Sequence, residues 1–149
     1  MFRQTDPELQ FKADSDCYLF DVLYGLEKVG KFKFTREQVK QLRAVSVRAD
    51  FISEDGFLNE KGISGIAMVS SGLTGHHVYA KRVGSNDNYN VVIGKFMRVI
   101  SPNNRMVHFN YMNFALPKIV EWDPWSEYGA KTTHEGNIIE YRYLFMEAI

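Results

Sequence analysis

The texture of the sequence changes at Gly75, and that change bounds the folds open to it. Before it, apolar residues recur at helical spacing; after it, short segments rich in Val, Ile, Tyr and Phe alternate with polar turns. The run CYLFDVLYGLEKV places Leu19, Leu23, Leu26 and Val22, Val29 at helical intervals, with Asp14, Ser15 and Asp16 suited to cap its start. It predicts a largely buried helix with Cys17 in its first turn. Thr35, followed three residues later by Gln38, forms a capping-box signature, and Val39, Leu42 and Val45 follow on one face. That second helix is expected to end before Phe51. Gly56 marks a turn, and Asn59 is expected to cap a third helical segment carrying Ile63, Ile66, Ala67 and Val69, ended by the break from Gly72 to Gly75. Residues 1 to 14, around Pro7, read as an extended entry segment crossing the surface.

Beyond Gly75 the segments HHVYAKRV, NYNVVIGKFMRV, RMVHFNYMNF, KIVEWD and NIIEYRYLF are separated by SND, SPNN, ALP and a longer polar loop. They predict a mostly antiparallel sheet, and helices followed by strands describe an α+β domain rather than alternating βαβ units. At 149 residues, 45% apolar and 14% aromatic, the chain suffices for a single packed domain over 1–149. Lysine plus arginine equals aspartate plus glutamate at 18 each, which leaves no global field to attract nucleic acid or an anionic membrane. No apolar run reaches the roughly 20 residues of a membrane helix, and the opening MFRQTDPELQF lacks the layout of a signal peptide, so a cytoplasmic protein, or one released without such a signal, is expected. With one cysteine there is no internal disulfide, and thiolate metal sites of two or more cysteines are excluded.

Cys17 is therefore a lone thiol, and a helix N-terminus is where unpaired N–H groups lower a thiol pKa. Its ordinary alternative is that of a small buried hydrophobe. A thiolate nucleophile needs a histidine. Among His76, His77, His108 and His134, His108 lies inside the apolar strand pattern MVHFNYMNF, where a strand holds a side chain rigidly on one face. His76 and His77 open a strand and read as surface residues, and His134 falls in the loop TTHEGN. Asp123 follows KIVEW fifteen residues after His108, a spacing that lets adjacent antiparallel strands bring acid and imidazole together; as Asp-Pro it also suits a turn at a strand end. Oxyanion stabilisation would come from the Cys17 backbone N–H and an upstream amide, Gln10, with Gln4 in reserve.

The residues Gln10, Asp16-Cys17, His108-Phe109 and Glu121-Trp122-Asp123-Pro124 resemble the papain-like cysteine peptidase superfamily, especially the bacteriocin-processing leader peptidases and their relatives. The order Gln, Cys, His, Asp matches, as do the aromatic after the histidine and the proline after the acid. The chain is also similar to a small family from phages and bacterial mobile elements. The resemblance implies a papain-like fold and a Cys17–His108–Asp123 triad that cleaves a peptide or amide bond in a protein or a peptidoglycan peptide, without a cofactor or metal. Two departures stand out: the usual Asp-Cys-Gly is Asp-Cys-Tyr here, and Gln10 is one residue further from the cysteine than the common spacing. Tyr18, Trp122 and Trp125 are candidates to line a substrate cleft, or else to pack in the core or its rim.

Two other readings remain at this point. One is a catalytically inactive papain-like module that binds a protein partner. The other is a metal enzyme using His76, His77 and Asp87, for which the sequence supplies no HExxH spacing on a helix.

Overall fold

The computed structural model describes residues 1–2, 6–9, 17–85, 96–100, 107–111 and 140–149. Among these, helix α1 spans Cys17–Gly30, α2 Arg36–Arg48 and α3 Ile63–Thr74, with a 3-10 turn at Glu60–Gly62 before α3. Strands β1 (Val78–Ser85), β2 (Phe96–Ile100), β3 (Val107–Tyr111) and β4 (Glu140–Ala148) form one sheet in the order β1-β4-β2-β3. Each neighbouring pair is antiparallel, with Val78 opposite Ala148, Phe96 opposite Leu144 and Val99 opposite His108. The chain is an α+β fold.

Helix α1 is the centre of the core. Its residues 18–23 and 25–27 are buried, with Lys28 exposed and Tyr24 half-buried toward its C-terminal end, and it packs against all four described strands. Leu19, Phe20, Leu23 and Leu26 are wholly inaccessible, and Leu42, Ile52, Ile63, Ile66 and Leu144 join the same cluster. Helix α3 lies against β1, and α2 lies against α3. The Ser71 hydroxyl accepts the Val78 N–H at 3.0 Å and lies 2.9 Å from the Ala67 carbonyl, which ties α3 to the start of β1. Gly65 permits the Phe51 ring to lie on α3, since a Cβ there would overlap that ring.

The capping box forms as expected. The Thr35 hydroxyl accepts the Gln38 N–H at 3.1 Å, and the Gln38 side-chain oxygen accepts the Thr35 N–H at 3.0 Å. Asn59 behaves differently from the expectation. Its Oδ1 accepts the Lys61 N–H and its carbonyl the Gly62 N–H, so it organises the 3-10 turn, while α3 itself starts at Gly62 without a side-chain cap. Gly72 also departs from expectation, because it lies within α3 and only Gly75, at φ 75°, ends the helix.

The other two helices also end in left-handed residues: Lys31 (φ 55°) after α1 and Asp50 (φ 62°) after α2. Asp50 completes a Schellman arrangement, with its N–H donating to the Val47 carbonyl and the Phe51 N–H to the Ser46 carbonyl. Aspartate tolerates this conformation and glycine adopts it freely. A lysine there carries a cost of roughly 1–2 kcal/mol.

The first residues do not simply cross the surface. Leu9 is wholly buried, its N–H donates to the Asp6 carbonyl at 2.9 Å, and Arg36 at the start of α2 grips the turn through Asp6 (3.0 Å) and Glu8 (2.7 Å). The same guanidinium lies 4.4 Å from the Phe2 ring centroid. The Arg36 hydrogen bond holds the Asp6 carboxyl below its ordinary value, with the Glu8 N–H adding to the effect. A depressed folded pKa gives a contribution that is complete above the unfolded value, about 3.9, and lost as pH falls through the lower folded value. The Leu9 amide resonance is therefore expected to stay fixed from pH 7 to pH 5 and to move only in stronger acid. In Arg36→Gln that transition is expected nearer the ordinary carboxylate value; the same midpoint in both proteins would refute the clamp.

Candidate functional site

Cys17 is the first residue of α1, and no acidic residue lies in the first helical turn. The first N–H groups of a helix have no partner within it, so the backbone around Cys17 carries the positive end of the helix dipole. This is the local setting in which a thiolate is stabilised. His108 lies within β3, opposite Val99 of β2, at the end of the sheet order among the described strands. Helix α1 packs against β3. The elements that carry the expected nucleophile and base are thus in contact.

Asp123, Gln10, Gln4, Trp122, Trp125, His134 and the capping candidates Asp14, Ser15 and Asp16 lie outside the described residues, as does Asp87. Tyr18, at 5% exposure, belongs to the buried cluster, in keeping with the packing alternative among its two readings.

His76 and His77 are exposed and sit just before β1. The His76 ring stacks on Phe32 with centroids 5.1 Å apart and planes 13° from parallel, which gives it a packing role. Among the described residues no group of three or more His, Cys, Asp or Glu side chains is placed to hold a metal ion, and no helix is long and apolar enough to cross a membrane.

Two features escaped the sequence reading. Asp21 is wholly buried on α1, four residues beyond Cys17 in the chain. A buried carboxylate needs donors or a cation to remain charged. Its signal was a lone acid in the apolar run CYLFDVLYGL, read only for its periodicity. The second feature is the lysine-bearing end of α1 and the turn that follows it, Lys28 to Lys33, which line a groove.

Comparison with protein-family models, with curated proteins and with solved structures finds no match for this chain.

Proposed function

We propose that the chain is a papain-like cysteine hydrolase that cleaves a peptide or amide bond, in a protein or in a peptidoglycan peptide. The observation that carries the reading is the position of Cys17, which opens a largely buried helix packed against the strand that bears His108. A nucleophile at a helix start and a base on a neighbouring strand are the two parts that thiol acyl transfer needs first.

In the proposed reaction the Cys17 thiolate attacks the carbonyl carbon, and His108, having taken the thiol proton, delivers it to the leaving amine. Asp123 fixes the imidazole tautomer, as the acid of such a triad does. The Cys17 N–H and the Gln10 side chain donate to the oxyanion. Water, deprotonated by His108, then attacks the thioester, the carboxylic acid leaves, and the thiol is restored.

The test is to incubate the protein with a proteome-derived peptide mixture and sequence new termini by mass spectrometry, beside Cys17→Ala. New termini with a shared sequence preference in the wild type alone are expected. Identical termini in both proteins, or none above background, would contradict the reading.

A further inference from the structure

At the C-terminal end of α1 the surface opens into a groove of 390 Å³ lined by Tyr24, Glu27, Lys28, Lys31, Phe32 and Lys33. Its helical lining residues, Tyr24 to Lys28, stand about 10–17 Å along the helix axis from Cys17, at 1.5 Å per residue. Its size falls within the range of ligand clefts.

The charge of the groove is positive. Lys28, Lys31 and Lys33 stand around a single carboxylate, Glu27, which is buried and turned to other partners. Glu27 Oε2 accepts the Phe34 N–H at 2.8 Å, and Oε1 lies 3.0 Å from the Met1 amine. Lys33 approaches Oε1 only to 3.7 Å, with its side chain 80% exposed. Lys28 Nζ lies 5.8 Å from the Tyr24 ring centroid, over an aromatic wall.

The frame beneath these lysines is fixed. The Phe32 N–H donates to the Glu27 carbonyl at 3.2 Å, and the Phe32 ring is held edge-on by Phe34 and face-on by His76. A Cβ at Gly30 would come within 2.6 Å of the Phe32 ring and 2.8 Å of Val78, so the turn closes tightly onto β1. Lys31 then occupies the left-handed position that Gly75 fills at the end of α3. A charged side chain thus stands where glycine would relieve the backbone.

We propose that this groove binds an acidic peptide segment, its carboxylates meeting Lys28, Lys31 and Lys33 and its apolar stems lying on Tyr24 and Phe32. A peptide suits it better than a nucleic acid, because the chain's balanced charge offers no extended basic field for a phosphate backbone.

The test is fluorescence anisotropy with fluorescein-labelled hexaglutamate, beside hexaserine and an oligothymidylate of equal charge, in low salt. Hexaglutamate is expected to bind more tightly than either, and more weakly as salt rises. The combined Lys28→Gln, Lys31→Gln and Lys33→Gln variant is expected to lose affinity about tenfold, from exposed ion pairs of modest individual strength. Lys31→Gly alone is expected to weaken binding about twofold to threefold while raising Tm. Equal affinity of the triple variant and the wild type would overturn the proposal, as would hexaserine or oligothymidylate binding as tightly as hexaglutamate. Cys17→Ala is expected to bind like the wild type, so this result stands apart from the hydrolase reading.

Discussion

Phe20→Ala is expected to destabilise the protein by about 3–5 kcal/mol, the usual range for removing a buried aromatic ring. Phe20 is wholly inaccessible and lies in the first turn of α1, which packs against all four described strands. The lost ring leaves a void among wholly buried neighbours of the same cluster, which relax into it only in part. For a chain of this length the loss corresponds to a fall in Tm of roughly 10–15 °C. Met68→Ala, on the outer face of α3 at 73% exposure, is the matched control and is expected to change stability by no more than about 0.5 kcal/mol. Urea denaturation of the three proteins measures both effects. A loss below about 1 kcal/mol for Phe20→Ala would mean that α1 is not the centre of the core.

The features of this fold legible in the sequence are those decided within one turn of chain. The reciprocal bonds between Thr35 and Gln38 need only residues three apart, and Cys17 opens α1 where the apolar periodicity begins. The helical interval also located α3, although its start was misassigned. Asn59 has the right chemistry for a cap, but the chain makes a 3-10 turn before α3, and that choice rests on Phe51 packing over Gly62 and Gly65. Each of the four described strands overlaps a segment of strand texture, with β1, β2 and β4 running one to three residues past it, yet their order does not follow from those segments. β4 inserts between β1 and β2 through pairings far apart in sequence, and the turns alone do not specify such a pairing.

The same distinction applies to the candidate site. The helix-start position of Cys17 was legible because it is local. For Tyr18 the sequence left cleft and core both open, since the choice depends on which surfaces close around α1. The clamp of Arg36 on Asp6 spans thirty residues and has no sequence signature. The strain at Lys31 is equally hidden, because a lysine in a left-handed turn looks like any other solvated lysine until the backbone is seen.

The second large effect concerns the reactivity of Cys17. At pH 6 an ordinary thiol of pKa about 8.5 is roughly 0.3% thiolate, whereas a thiolate–imidazolium pair with His108 would be largely ionised. A less basic thiolate is also a poorer nucleophile, with a Brønsted slope of about 0.4–0.5, which takes back much of that gain. The net expectation at pH 6 is alkylation roughly tenfold faster than that of an ordinary thiol, with the advantage growing as pH falls further. His108→Ala removes the imidazolium, and its rate is expected to fall to that of a thiol influenced by the helix start alone.

The most direct test is the rate of iodoacetamide labelling from pH 5 to pH 9, followed by intact mass, for the wild type and His108→Ala. With a single cysteine, specific thiol alkylation reports on Cys17. The account predicts rapid labelling that persists well below pH 8 in the wild type and is lost in the variant. Slow labelling of the native protein at every pH, becoming ordinary only after unfolding, would identify Cys17 as a buried structural residue and contradict the hydrolase reading.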